Sequence, residues 1–214
     1  ILMDMAKGCY APKEVRKGAV NIYLRPRPGV QYMAGADIAE GGGGAGSVLW
    51  IEGKEGLSRE LAAVIYSRHI DTDIFAYLSK ELLDEYFQPQ VIGGADALGA
   101  AYLKALIGLG YPALKIYCTD KKREKLGYQE TEATQQADVY ALEGVIRNGV
   151  LTVHWLPAIQ EMLVYQYKER KDGRTQIGPA EGALHDIVMA MVKANFGFTQ
   201  FKSQGPVLVT RFFG

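Results

Sequence analysis

Two cysteines in 214 residues, Cys9 and Cys118, are too few for a disulfide framework, and they have no metal-ligand spacing. A reducing compartment is the default for such a chain. No run of 18 or more apolar residues occurs, which argues against a helical membrane span. There is no signal-peptide pattern, and the chain opens at Ile1-Leu2-Met3 without an initiator methionine, which raises the expectation of an excised fragment. The phosphate-loop pattern G-x-x-x-x-G-K-[ST] is missing, so the chain holds no P-loop ATPase site. Net charge is missing too, with 24 Lys plus Arg against 24 Asp plus Glu. That argues against a protein that coats nucleic acid by bulk positive charge.

What is present points to an ordinary globular chain with a sizeable core: 48% hydrophobic and 22% charged residues. Glycine is the excess, at 25 residues. The zero charge conceals blocks. Residues 1–30 carry six basic and two acidic side chains, residues 31–100 four and eleven, and residues 101–130 six and three. Local fields therefore differ in sign along the chain.

Tyr32 to Ala36 reads as a buried strand ending at Asp37, followed by a turn through Gly41 to Gly44. Ser47–Ile51 and Leu61–Tyr66 read as two more strands, and the short connections predict an antiparallel meander. Asp71 or Thr72 opens a helix with Phe75, Leu78, Leu82 and Tyr86 at helical spacing, stopped by Pro89. Val91 to Ala95 is a short strand, again ending in an aspartate, Asp96. A helix with Leu98, Tyr102, Ala105, Leu106 and Leu109 on one face follows, capped by Gly110. Leu114, Ile116 and Cys118 alternate as a fifth strand. A helix around Val139, Leu142 and Ile146 ends at Gly149. Asp172-Gly173 marks a hairpin, and Ala183 to Asn195 forms an apolar helix with Asp186 near its start. The order predicts an α/β chain, a ribonuclease H-like mixed five-stranded sheet flanked by helices. With no repeat or linker, residues 1–214 read as one domain, its core at about 20–196 and extensions at 1–19 and 197–214.

In that fold the first and fourth strands are parallel neighbours, which would bring Asp37 and Asp96 to one sheet end. Asp186 is the third candidate. Three carboxylates around one cleft are hard oxygen ligands for Mg²⁺ or Mn²⁺, and two such ions can drive phosphodiester cleavage. The small residues beside Asp37 and Asp96 would leave room for a phosphate. Each aspartate also has a plainer reading: Asp37 as a cap on the glycine turn, Asp96 as a helix N-cap, Asp186 on a solvated face.

These residues resemble a known family. Tyr32 through Gly44 looks like the first-strand motif of phage terminase large-subunit nuclease domains. Gly94-Ala95-Asp96-Ala97-Leu98-Gly99 looks like their second acidic motif, and Gly182 through Met189 is similar to their closing His-Asp-Asp-x-Val-Met motif. Lys125-Leu126-Gly127-Tyr128, residues 142–151 and Glu161-Met162 follow weaker landmarks. The resemblance implies an RNase H/RuvC-like endonuclease that cuts concatemeric viral DNA during genome packaging in the host cytoplasm. It implies Asp37, Asp96 and Asp186 as catalytic ligands of two Mg²⁺ or Mn²⁺ ions. It also implies double-stranded DNA as substrate, an ATPase motor domain in the same polypeptide, and a small terminase subunit and portal as partners.

The chain departs from the family at Ala45, where an Asp is frequent, and at His185, where the family has a second Asp. His185 and Glu40 are auxiliary candidates. Lys121, Lys122, Arg123 and Lys125 are expected to grip the DNA backbone, as are Arg170, Lys171 and Arg174 around the hairpin; solvated loops are the alternative for both. A catalytically weak module that only binds DNA or packaging partners, and a RuvC-like resolvase or other RNase H-like nuclease, are the competing functions. An actin-like sugar kinase shares the strand-Asp-glycine opening but needs a second half with no room here.

Overall fold

The strand with an unbroken apolar run lies inside the sheet with a neighbour on each side, because a strand covered on both faces has no side to give to water. This is β2 (Gln31–Asp37), buried from Tyr32 to Ala36. The architecture comes from a computed structural model that describes residues 19–120, 122–169, 173 and 175–201. β1 (Val20–Ile22), β3 (Ser47–Glu55) and β4 (Ser58–Ser67) lie to one side of β2, and β5 (Gln90–Ile92) to the other, in the order β1-β4-β3-β2-β5. β2 to β3 and β3 to β4 are antiparallel, as the short connections require, and β2 to β5 is parallel. β6 (Leu151–Thr152) adds a short parallel pairing to β4. The sheet is therefore mixed, with six strands where the sequence suggests five. β1 and β6 are three and two residues long, too short to leave a periodic signal.

The segment read as a fifth strand does not form one. Ala113–Lys115 is a single 3₁₀ turn, closed by Lys115 N–H to the Pro112 carbonyl and Ile116 N–H to that of Ala113. The turn throws Leu114 into solvent at 77% exposure. Beyond it, Ile116 makes one parallel bridge to Val91, and Cys118 folds onto Leu126 and Gly127. β5 ends at Ile92, so there is no longer ladder for this segment to join.

Helices cover both faces. α1 (Thr72–Glu85) and α2 (Ala97–Gly108) meet the face carrying Tyr32, Ala34, Ala36, Leu49 and Ile51. α1 ends at Tyr86, before Pro89, and the α2 chain leaves through Gly110 at φ +90°. α2 buries Leu103 along with Tyr102 and Leu106, whereas Leu109 is exposed. α3 (Glu132–Arg147), α4 (Leu156–Leu163) and α5 (Asp186–Gln200) serve the other face, with Val48 and Trp50. β7 (Tyr165–Glu169) and β8 (Thr175–Pro179) form a separate antiparallel hairpin. Glu169 pairs with Thr175; Asp172 of the expected Asp-Gly turn lies outside the described residues.

α5 is buried on nearly every side, from Asp186 to Asn195, as expected of a helix apolar all round. It lies directly on β2. A Cβ on Gly35 would stand 2.0 Å from the Ala190 carbonyl oxygen and 2.5 Å from the Ala194 nitrogen, and one on Gly197 would meet Met33. Moving up β2 from Met33 to Gly35 to Asp37 therefore means moving back along α5 toward its start. A strand advances about 3.3 Å per residue and a helix about 1.5 Å. Four strand residues match roughly nine helix residues on those figures, which sets Asp37 beside the first turns of α5.

Candidate metal centre

Asp37 ends β2 on the face covered by α5. Its Oδ1 accepts a hydrogen bond from Lys193 Nζ at 2.5 Å. Lys193 also pairs with Glu130 Oε1 at 3.0 Å and is only 2% exposed, whereas Asp37 and Glu130 each keep 27% side-chain exposure. Asp186 is the first residue of α5 and is 6% exposed. Its Oδ2 accepts from the Gly46 N–H at 2.6 Å, tying the far end of the glycine loop to the helix. A carboxylate at a helix start is also favoured by the helix dipole. Among the described residues, Asp37 Oδ2 and Asp186 Oδ1 accept no protein hydrogen bond.

Asp37 and Asp186 feel each other. Burial is the main reason the Asp186 pKa lies above the ordinary carboxylate range, and the negative charge of Asp37 adds to it. The Gly46 N–H, His185 and Arg68 oppose the rise without cancelling it. Glu161 joins the group from α4. Its Oε2 accepts from the N–H groups of Ile187 at 2.9 Å and Val188 at 3.2 Å, satisfying donors that a helix start leaves free. Burial pushes its pKa to about 7, with Asp186 contributing and the two N–H groups opposing. Negative charge thus outweighs positive at this end of the sheet.

Asp96 takes its plainer role. Its Oδ1 accepts from Leu98 N–H and Gly99 N–H, both at 3.0 Å, as the N-cap of α2. Its Oδ2 lies over Gly94, 2.2 Å from where a Cβ there would be. Among the described residues, no three His, Cys, Asp or Glu side chains are grouped so that they could hold one metal ion. Asp37 and Asp186 lie within electrostatic reach of each other, and Asp96 caps α2 at the neighbouring end of β5 with Oδ1, leaving Oδ2 outside the cap. The small residues also serve packing: Gly35 admits the α5 backbone, Gly94 admits the carboxylate of Asp96, and Gly99 and Gly127 admit the Gly94 carbonyl.

The remaining candidates divide. His185 is the residue before α5, makes no side-chain cap and contributes a favourable charge to Asp186. Glu40 and Ala45 are exposed in the glycine loop. Arg123 folds back, its guanidinium on the carbonyls of Ala113 and Ile116. Lys122 and Lys125 are exposed on a loop whose base, Cys118 to Tyr128, runs beside Gly94. Lys121, Arg170, Lys171 and Arg174 lie outside the described residues.

Four participants escaped the sequence reading: Lys193, Glu130, Arg68, and Glu161 in its helix-capping role. Arg68 donates Nε–H to the Tyr66 hydroxyl at 2.7 Å and acts on both Asp186 and Glu161. Lys193 did carry a signal: one lysine inside an otherwise apolar helix needs a buried counter-ion.

The residues fit a hard divalent cation by donor chemistry. Asp37 and Asp186 offer carboxylate oxygens without protein partners among the described residues, in a place where burial, with the charge of Asp37 adding to it, raises the Asp186 pKa.

No protein-family model matches this chain, and no curated protein does. Solved structures do. The chain resembles the large terminase nuclease from thermophilic phage G20c with a TM-score of 0.66 at 16% identity, over 87% of this chain and 91% of that one. The Thermus phage P74-26 large terminase nuclease domain matches with a TM-score of 0.67 at 17% identity, over 88% and 89%. The HK97 bacteriophage large terminase matches at 0.58 and 10% identity, over 80% of this chain but 40% of that longer one. The G20c nuclease has also been solved with bound magnesium, cobalt and zinc. The fold is thus the ribonuclease H-like fold of large-terminase nuclease domains.

Proposed function

We propose that the chain is the nuclease portion of a phage large terminase, a metal-dependent endonuclease that cuts concatemeric viral DNA during genome packaging in the host cytoplasm. The observation that carries this reading is the pairing of Asp37 and Asp186, each with a free carboxylate oxygen, at an electronegative end of a sheet with this fold. Asp37 and Asp186 would hold Mg²⁺ or Mn²⁺, and Asp96 would join through the oxygen that its helix cap leaves over Gly94. Two bound ions would supply a lowered pKa for the attacking water and charge stabilisation for the leaving oxygen.

The protein's own groups do the rest. Lys193 and the Gly46 N–H fix one oxygen of each aspartate, so the other oxygen has a set direction. Glu161 anchors the start of α5 and with it Asp186. Arg68 stands at the rim as a phosphate contact, held by Tyr66, with Lys122 and Lys125 as backbone contacts further out. Lys121, Arg170, Lys171 and Arg174 extend that set. An ATPase motor in the same polypeptide, a small terminase subunit and a portal are the partners this reading implies. Residues 1–214 act as one nuclease domain in it.

The capping role of Asp96 favours a second reading, a nuclease-like module that binds DNA or packaging partners with little cleavage. Supercoiled plasmid incubated with the chain and Mn²⁺ decides between them. Nicking that disappears in Asp37→Asn and Asp186→Asn supports the enzyme. Binding without nicking supports the module.

A further inference from the structure

From Ile187 to Ala194, α5 holds one charged side chain, Lys193, buried to 2% exposure. An ammonium so far from water stays charged only when carboxylates enclose it. Two do, from different parts of the chain: Asp37 at the end of β2, 2.5 Å away, and Glu130 in the connection before α3, 3.0 Å away. Burial draws the lysine's pKa down, but Asp37 and Glu130 more than reverse this, so it lies above its ordinary value. Glu130 Oε1 is buried without a well-directed hydrogen bond, and the ammonium is its compensation among the described residues. Helix packing fixes the stem, so the nitrogen sits at one point between two anionic oxygens.

The geometry points to Lys193 as a positioning residue: a built-in cation that occupies one oxygen of Asp37 and one of Glu130, keeps that pair from recruiting a divalent ion, and leaves Asp37 Oδ2 for the ion shared with Asp186. The last clause rests on the metal-dependent reading above; the first two do not. A cation at that point touches both oxygens already, and a lysine there supplies a single charge that does not dissociate. Without it, two half-buried carboxylates would face each other, an arrangement that binds a hard divalent cation or loses a charge by protonation.

The test is Mn²⁺ titration by calorimetry, with thermal unfolding at each Mn²⁺ concentration, on the whole chain. Lys193→Met is expected to bind one more Mn²⁺ than the wild type and to gain more in unfolding temperature from Mn²⁺. Adding Glu130→Gln to it removes the extra ion. Glu130→Gln alone keeps the lysine but gives its whole charge to Asp37, and Mn²⁺ affinity is expected to fall about tenfold, within the range of outer-shell changes at metal sites. A purely structural lysine would change the unfolding temperature and neither of these readings. Lys193→Met with unchanged stoichiometry overturns the assignment; if that variant does not fold, an unchanged affinity in Glu130→Gln overturns it. A wild type that takes up no Mn²⁺ and cuts no DNA defeats the nuclease reading, while an ion gained in Lys193→Met still upholds the built-in cation.

Discussion

Two clusters of charge lie under the same helix on the same face of the sheet, and they have opposite designs. Glu52 of β3 pairs in register with Met33 of β2, four residues before Asp37. Its carboxylate meets Arg59 Nε at 3.1 Å and Trp50 Nε1 at 3.4 Å, and Arg59 continues to Asn195 Oδ1 at 2.8 Å. One acid faces one base, both fully or nearly fully buried, and Phe198 covers the guanidinium. At the other cluster Asp37, Glu130, Asp186 and Glu161 have one buried base, Lys193, and Arg68 at the rim. The closed pair is balanced in charge and covered, although Glu52 Oε1 has no well-directed hydrogen bond. The open cluster carries surplus negative charge and free oxygens, which is what a cation needs. Burial of charge alone therefore does not mark a site; imbalance does.

The sharpest break in the comparison is to remove one charge from each cluster. Asp186→Asn is expected to lower plasmid nicking by about three orders of magnitude, since several kcal/mol of transition-state stabilisation would go with the ion, while the fold persists by circular dichroism. Arg59→Ala should do the reverse, costing about 3–5 kcal/mol of stability in urea unfolding by stranding Glu52. Specific activity of its folded fraction should stay near wild type.

Gly35→Ala sits between the clusters and tests the contact that aligns them. The added Cβ meets the α5 backbone, so a loss of about 1–3 kcal/mol is expected, with nicking reduced as well, because Asp186 moves with the helix. Acidity probes the closed pair next. Burial holds the Glu52 pKa near 7, against 4.5 ordinarily, with Arg59 and Trp50 only partly offsetting it. The folded state then binds more protons than the unfolded between those values, so stability falls as pH rises from about 5 to 7. Glu52→Gln should remove its share of that slope in unfolding curves and leave the share of Glu161, whose pKa burial also raises to about 7. The smallest effect belongs to the rim: Arg68→Ala should weaken DNA binding and reduce the salt slope of the binding constant by about one.

Much of this was legible in the residues. The buried run before Asp37, the meander and the apolar closing helix announced the sheet and its cover, since each is long enough to show a period. Strands of two or three residues, β1 and β6, show none. Residues 114–118 alternate like a strand, but Pro112 and the short β5 give them no ladder. Asp37 was legible as the end of an apolar run, and Asp186 as an acid near the start of an apolar helix. Their partners were not, because Glu130 and Arg68 sit in connections, where sequence spacing says nothing about spatial contact. The glycines were legible as close approaches, yet not as approaches of helix to strand.

Crystals of the chain soaked in Mn²⁺ and measured at an energy where manganese scatters anomalously test the central claim most directly. The account predicts an anomalous peak within coordination distance of the Asp37 and Asp186 carboxylates, lost in Asp37→Asn. A wild-type chain whose two aspartates stand as described and bind no manganese at saturating concentration would contradict it.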